Sequence, residues 1–159
     1  MIVFLHGKES GPGGTKARWL AARYGAVCPA LDTSTVEGAL DQARHALRAH
    51  TPALVVGSSF GGGLAVALAA EGLWAGPSVL IAPAHALMGL ATALPATHRA
   101  IVLHGTDDDV VPLAHAEALC ARSPGARLVR IEGGDHRLNR VLDDGTLAGA
   151  LEELGAVSR

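Results

Sequence analysis

Residues 54–63 read LVVGSSFGGG, an apolar run that passes through a serine flanked by glycines into a stretch of small and apolar residues. The run predicts a buried strand, and residues 60–71, almost all Gly, Ala, Leu and Val, predict a helix packed closely on a sheet. The pattern Gly57-x-Ser59-x-Gly61 therefore stands at a strand-turn-helix junction. Such a junction presents a serine nucleophile at a helix N-terminus. The alternative is a glycine-rich turn whose serine has no chemical role.

The same alternation of short apolar runs and helical periodicity continues along the chain. It predicts an α/β fold, a three-layer αβα sandwich around a parallel sheet, as one domain over residues 1–159. Ser34 followed by Glu37 fits a capping box at the start of a helix. About six strands are expected, at residues 2–5, 26–29, 53–56, 78–82, 100–103 and 127–131. Helices are expected at residues 36–49, 60–71, 113–121 and 147–154.

The composition is that of a globular chain and excludes several classes of partner. Of 159 residues, 49% are hydrophobic and 18% charged, which excludes a disordered chain. The net charge is -2 and no basic run is present, so nucleic acid is not an expected partner. No apolar stretch reaches the roughly 18 residues that span a bilayer, and no signal segment is visible, so we expect a cytoplasmic protein without membrane contact. Cys28 and Cys120 are too few and too distant for a disulfide scaffold, and the oligomeric state stays open.

A second glycine-rich segment, residues 6–14, follows the first predicted strand. A hydrolase that forms a tetrahedral intermediate needs two backbone N–H groups aimed at the oxyanion. Phe60, directly after Ser59, is expected to supply one, and Lys8, directly after His6-Gly7, the other. His6 is interpreted as a residue that orients this loop. The loop also resembles a phosphate cradle, but residues 14–16 read Gly-Thr-Lys instead of Gly-Lys-Ser/Thr, so no nucleotide or other cofactor is expected.

Three adjacent aspartates at residues 107–109 follow the fifth predicted strand. A carboxylate at this position can hold the far nitrogen of a histidine and fix its tautomer. Adjacent aspartates cannot all point into one site, and no calcium-loop spacing follows, so no metal is expected. Asp107 and Asp109 are interpreted as a solvated acidic turn.

His136 is the histidine best placed to act as a general base. It lies in the glycine-containing loop 133–136 after the last predicted strand, downstream of both the serine and the aspartates. The histidines at 45, 50 and 115 are expected on the surface. Those at 85 and 98 flank a connecting segment and are weaker candidates to approach the site.

The order Ser59, Asp108, His136 resembles the chain order of the α/β-hydrolases. More narrowly, residues 6–17, HGKESGPGGTKA, together with residues 57–62, GSSFGG, are similar to the small YqiA-like bacterial esterases. The resemblance covers essentially the whole chain, and it assigns the family aspartate to Asp108 and the family histidine to His136. It also implies that the first strand here corresponds to the third of the superfamily. Lys8 departs from the pattern, because relatives usually carry an aromatic or apolar residue there.

The resemblance implies a minimal hydrolase without a cap domain. Caps usually enter after the strand that follows the nucleophile helix, and residues 83–98 are too few to form one. Leu87, Met88 and Leu90 are candidates for an acyl pocket, although a short helix packed on the sheet explains them equally well. The expected function is a carboxylesterase-type serine hydrolase that cleaves small carboxylic esters or thioesters through an acyl-enzyme. An amidase or peptidase of the same fold and a non-catalytic interaction protein are the alternatives.

Overall fold

The computed structural model describes residues 1–157 and contains a parallel sheet whose strands follow one another in chain order. The strands are β1 (Ile2–Leu5), β2 (Leu54–Ser58), β3 (Ser78–Ile81), β4 (Ala100–Gly105) and β5 (Ala126–Ile131). The helices are α1 (Thr15–Tyr24), α2 (Val36–His50), α3 (Phe60–Ala70), α4 (Leu113–Ala121) and α5 (Thr146–Glu153), with a 3-10 turn at Asn139–Leu142. None of these helices is both long and apolar enough to span a bilayer.

The sheet is covered on both faces, as the uniformly apolar strands predict. Every residue of β1 to β4 is buried, because helices exclude water from both sides of these strands. On one face, which we call the α3 face, alternate strand residues pack against α2, α3 and α4. On the other, the α1 face, the remaining strand residues pack against α1, the 3-10 turn and α5. The predicted three-layer α/β architecture is confirmed.

The prediction of a strand at residues 26–29 is wrong, so the sheet has five strands instead of about six. This segment makes one isolated bridge to β1, in which the Phe4 N–H donates to the Val27 carbonyl at 2.8 Å and the Val27 N–H donates to the Ile2 carbonyl at 2.9 Å. Pro29 prevents extension of the ladder, since it has no N–H to donate and restricts the backbone of Cys28 before it.

The bridge nevertheless places a topological switch at β1. Val3 pairs with Val27 and also with Val55 of β2, so these two partners lie on opposite edges of β1. The chain first adds a segment on one edge of β1 and then builds the rest of the sheet on the other. A crevice outside the carboxyl ends of the strands forms at such a switch, and ligands bind there in open α/β sheets.

The helices agree with the sequence prediction except at the N-terminal side. The prediction missed α1. This helix follows Gly14 and is terminated by Gly25, whose backbone adopts the left-handed conformation. Its buried residues Ala17, Leu20 and Tyr24 have helical spacing, but over ten residues this signal is short. At α2 the predicted cap Ser34 is wrong, because the N-cap is Thr35, whose side chain accepts a hydrogen bond from the Gly38 N–H.

Candidate active site

Ser59 lies at the turn between β2 and α3 in a strained backbone conformation. Its φ of 53° and ψ of -113° fall in a region that non-glycine residues rarely occupy, at a cost of about 1–3 kcal/mol. The Ser59 N–H donates to the Ile81 carbonyl at 2.8 Å, and the Ser59 carbonyl accepts from the Ala84 N–H at 3.0 Å. These two bonds tie the turn to the neighbouring strand β3 and the segment after it, and thereby hold the strained geometry.

Gly57 and Gly61 are required by the close packing around this turn. A Cβ atom at Gly57 would lie 2.6 Å from the Gly61 carbonyl oxygen, and one at Gly61 would overlap the carbonyl of Leu5 at the end of β1. Only hydrogen fits at either position. The first turn of α3 can therefore pack directly on β1 and β2 and leave Ser59 half-exposed above the sheet.

Ser59, His136 and Asp108 form a continuous line of hydrogen-bonding side chains. The Ser59 Oγ lies 2.9 Å from the His136 Nε2, and the His136 Nδ1 lies 2.9 Å from the Asp108 Oδ2. An ionised carboxylate only accepts hydrogen bonds, so the proton of a neutral His136 resides on Nδ1 and leaves Nε2 free to accept from Ser59. The Asp108 side chain is 0% exposed, whereas 19% of the His136 side chain reaches solvent.

Backbone groups of its own loop fix the orientation of Asp108. Its Oδ1 accepts hydrogen bonds from the N–H groups of Val110, at 2.9 Å, and Val111, at 2.8 Å, which leaves Oδ2 facing His136. The flanking aspartates, Asp107 and Asp109, are exposed, as the sequence predicts. Within residues 1–157 no group of three His, Cys, Asp or Glu side chains is placed to hold a metal ion.

His104, which the sequence analysis did not single out, packs against the same carboxylate. Its ring is fully buried, its Nε2 lies 2.9 Å from the Val111 carbonyl, and the same atom lies 3.3 Å from the Asp108 Oδ2. A carbonyl can only accept, so Nε2 carries the proton and points toward the aspartate loop. The sequence feature that could have identified His104 is its position as a polar residue near the end of an otherwise apolar strand.

Two glycine contacts bring the His136 loop onto the Asp108 loop. A Cβ atom at Gly105, the last residue of β4, would overlap the Gly134 carbonyl, and the Asp107 N–H donates to that carbonyl at 3.0 Å. Gly133 has a φ of 68°, which glycine adopts at no steric cost. The two loops therefore approach closely enough for their side chains to meet.

The loop after β1 packs directly against Ser59. A Cβ atom at Gly7 would lie 3.4 Å from the Ser59 Cβ, and the Lys8 Nζ lies 5.4 Å from the centre of the Phe60 ring. The Ser10 N–H donates to the Gly7 carbonyl, which makes Lys8 a central residue of a tight turn. Phe60 is the first residue of α3, so its N–H has no acceptor within the helix.

His6 is buried and joins this loop to a second one. Its Nε2 accepts from the Leu31 N–H at 3.0 Å, and its Nδ1 lies 2.8 Å from the Gly7 carbonyl. The ring is therefore neutral with its proton on Nδ1, and it orients the loop as the sequence predicts. Neither hydrogen bond of the His6 ring is to Ser59.

Among the described residues, no histidine other than His136 hydrogen-bonds to the Ser59 hydroxyl. His98 contacts the Ser78 hydroxyl at 3.1 Å, at the amino end of β3, so it is remote from the carboxyl ends of the strands. His85 is buried with its Nδ1 3.2 Å from the Pro83 carbonyl, and burial lowers its pKa. Of the three histidines expected on the surface, His45 is exposed, whereas His50 and His115 are both partly buried.

An open cavity of about 540 Å³ lies above Ser59. The predicted acyl-pocket residues Leu87 and Met88 line it, but Leu90 does not; that side chain packs against the core on the α3 face. The predicted alternative of a short helix is wrong, since residues 82–99 contain neither helix nor strand.

Lys16, in the first turn of α1, lines the same cavity and is a residue whose role the sequence analysis missed. Its Nζ donates to the Arg137 carbonyl and, at 3.1 Å, to the Asn139 Oδ1. Burial lowers the pKa of Lys16 from the ordinary 10.5 to about 8, an effect that the nearby Asp135 carboxylate opposes and Arg137 reinforces.

The chain has the fold of the α/β hydrolases. An alpha/beta-superfamily protein from Xanthomonas campestris pv. campestris superposes with a TM-score of 0.73 at 23% identity, covering 96% of this chain and 95% of that one. Est1E from Butyrivibrio proteoclasticus gives a TM-score of 0.75 at 15% identity, with 96% and 86% coverage. Alpha/beta hydrolase domain-containing protein 10 from mouse gives 0.75 at 20% identity, with 96% and 88% coverage.

Within that fold, the chain belongs to UPF0227, described as an uncharacterised protein family, whose model matches residues 1–94. This match confirms the resemblance inferred from the motifs. No curated protein sequence matches the chain.

Proposed function

We propose that this protein is a serine hydrolase that cleaves small carboxylic esters or thioesters through an acyl-enzyme. The observation that carries the proposal is the line of two 2.9 Å contacts from Ser59 through His136 to Asp108 at the floor of an open cavity. A serine hydroxyl is a weak nucleophile unless an adjacent base is oriented by a third group, and this arrangement supplies both. The α/β-hydrolase fold of the chain supports the same assignment.

In the proposed mechanism His136 accepts the Ser59 proton while the Oγ attacks the substrate carbonyl. Asp108 stabilises the imidazolium that forms and keeps Nε2 directed at the serine. His136 then returns the proton to the leaving alcohol or thiol. Water, deprotonated by His136, hydrolyses the acyl-enzyme and regenerates the Ser59 hydroxyl.

The tetrahedral oxyanion would be bound by the backbone N–H groups of Phe60 and Lys8. One belongs to the start of α3 and the other to the tight turn packed against Ser59, so both are near the reacting carbonyl. Removal of one such donor costs about 3 kcal/mol in comparable enzymes. Because the Lys8 donor is the backbone, the unusual side chain at this position does not prevent the role.

The cavity favours small acyl groups. The connection between β3 and β4, residues 82–99, contains no helix or strand that could close over Ser59. Leu87 and Met88 offer a short apolar wall, and the Leu87 side chain is exposed, with 55% of its surface in contact with solvent. We expect acetyl to hexanoyl esters to react faster than long-chain lipids.

Covalent labelling with a neutral fluorophosphonate tests the proposal. Wild type should be labelled on Ser59 and should hydrolyse p-nitrophenyl butanoate, and Ser59→Ala should lose the label and at least about 10⁴-fold in turnover. Ser34→Ala, at an exposed serine before α2, is the matched control and should behave as wild type. Wild type that is neither labelled nor active would refute the proposal.

A matched set of butanoyl compounds then identifies the bond that is cleaved. We expect kcat/KM to follow the order ester and thioester above amide, because an amide carbonyl is less electrophilic and an amine is a poorer leaving group than an alcohol or a thiol. Turnover of the anilide above the ester would assign the protein to the amidases instead.

A further inference from the structure

Two parts of the lining of the cavity above Ser59 differ chemically, one being apolar and the other polar and charged. The apolar wall contains Leu87 and Met88, and Met88 belongs to the core of the α3 face. The polar wall is built by the loop after β1, the start of α1 and the segment that follows His136. The helix α1 and the segment after His136 pack on the α1 face, whereas Lys8 of the loop lies over the Phe60 ring. Ser59 stands between them at the end of β2.

The charges of the polar wall do not cancel. Three cations line the cavity: Lys8, Lys16 and Arg137. Among the described residues, Glu9 is the carboxylate in the lining itself, whereas Asp135 acts on Lys16 and the buried Asp108 contacts His136 from behind the lining. The surface of this wall therefore carries more positive than negative charge, which favours a negatively charged substrate group such as a carboxylate.

Lys16 is the best-positioned of these cations. It is held by the Arg137 carbonyl and by Asn139, so two of its three N–H donors are used and one remains. Both partners belong to the segment that follows His136, so the ammonium is held against that segment instead of moving freely in solvent. Fixing a partly desolvated ammonium costs stability, and a bound anion would recover part of that cost.

We propose that the polar wall binds a carboxylate on the alcohol portion of the substrate, with Lys16 as its principal contact and Lys8 and Arg137 as supporting charges. This proposal rests on the proposed ester hydrolysis. The hydrocarbon acyl chain then lies against the apolar wall, and the anionic alcohol leaves from the other side of Ser59. The preferred substrates are short acyl esters of hydroxycarboxylic acids.

Two pairs of substrates separate the alcohol side from the acyl side. On the alcohol side, 4-butanoyloxybenzoate is compared with its neutral methyl ester. On the acyl side, p-nitrophenyl hemisuccinate is compared with p-nitrophenyl butanoate, which has the same chain length. For each pair the measured quantity is the ratio of kcat/KM, anionic over neutral, and comparing this ratio between variants cancels intrinsic reactivity.

The decisive variant is Lys16→Gln, which removes the charge but keeps a hydrogen-bond donor for Arg137 and Asn139. We expect the alcohol-side ratio to fall about tenfold, the effect of one lost charge-assisted hydrogen bond. Lys16→Arg should retain the ratio within about threefold. Arg18→Gln, which removes an exposed charge from the same helix outside the cavity, is the matched control and should leave the ratio unchanged.

Labelling by the neutral fluorophosphonate shows whether each variant keeps an assembled site. If Lys16→Gln is not labelled, Lys8→Gln replaces it, with an expected fall of about threefold in the alcohol-side ratio. A labelled charge-removal variant with a wild-type ratio would overturn the inference and leave the proposed hydrolase intact. So would a fall confined to the acyl-side pair. Wild type without labelling or turnover refutes the proposed function itself.

The pH dependence provides an independent readout. Because the pKa of Lys16 is lowered to about 8, the alcohol-side ratio of wild type should decline as the pH rises through that value. Asp135 and Arg137 act on Lys16, and Lys8, Glu9 and His136 are the other titratable groups that line the same cavity among the described residues. His136 serves both substrates of a pair equally. Lys16→Arg should show a flat ratio over the same range, since arginine keeps its charge. A parallel decline in that variant would contradict the role of Lys16.

Discussion

The Ser59 turn and the first part of the segment 82–99 lie at the same end of the sheet, but they are built differently. At the turn, glycines are fixed by direct backbone contacts, and Ser59 itself is strained. The segment 82–99 has no regular structure, and its Leu87 side chain is largely exposed. In the proposed enzyme the reacting groups are held rigidly, whereas the side of the cavity that carries the exposed Leu87 is free to vary, as expected when positioning controls rate and contact area controls preference.

The largest effect is expected at the rigid part, with Asp108→Asn. The asparagine oxygen can still accept from Val110 and Val111, so the fold should be preserved. Its NH₂ group then faces His136 and favours the wrong tautomer, and kcat should fall by about 10⁴. Steady-state kinetics with p-nitrophenyl butanoate measure the loss. Asp109→Asn, at the exposed neighbour, should stay within about twofold of wild type, and an equal loss there would show that Asp108 has no special role.

The second effect concerns the steric basis of the Ser59 turn. In Gly61→Ala the new Cβ meets the Leu5 carbonyl, which cannot move without disrupting β1, so the free energy of unfolding should fall by about 3 kcal/mol or more. Urea denaturation provides the measurement. Gly149→Ala is the control, because nothing lies within 4 Å of its Cβ and it sits inside α5. That control should gain roughly 0.5–1 kcal/mol, and equal behaviour of the two variants would show that the turn is not tightly packed.

The smallest effect is expected at the variable wall, with Leu87→Ala. The side chain is exposed, so stability should change by less than about 0.5 kcal/mol. The preference for butanoyl over acetyl esters should drop about threefold, because two methylenes lose part of their apolar contact. Leu73→Ala, at another exposed leucine outside this cavity, serves as the control. If both variants show the same preference, Leu87 makes no contact with the acyl chain.

Local patterns were sufficient for most of the elements. The helix α4 occupies the predicted residues, and α3 differs from its prediction at only one end, because their periodicity and flanking residues are independent of distant contacts. Residues 26–29 misled the prediction, since an apolar run cannot show that only one bridge to β1 will form. The short helix α1 was missed because its glycine-rich start resembles a loop.

At the site, residue types and order predicted which side chains would meet, but not how each is held. The Gly-x-Ser-x-Gly pattern places Ser59 by local geometry alone. The contact of Lys16 with the segment after His136 joins residues 121 positions apart along the chain. No local pattern encodes such a contact.

The amino-acid sequence by itself determined the parallel α/β architecture, the turn at Ser59 and the identity of the three residues now found in line. The architecture and the turn depend on short-range properties, hydrophobic period and glycine sterics, whereas the choice of Asp108 among three adjacent aspartates rests on the family resemblance. Only the tertiary structure decided the number of strands, the separation of the cavity into an apolar and a cationic wall, and the contact of Lys16 with the segment after His136. These features depend on which helices and loops pack on which face of the sheet. That packing is set by contacts between residues distant along the chain, which no short stretch of sequence contains.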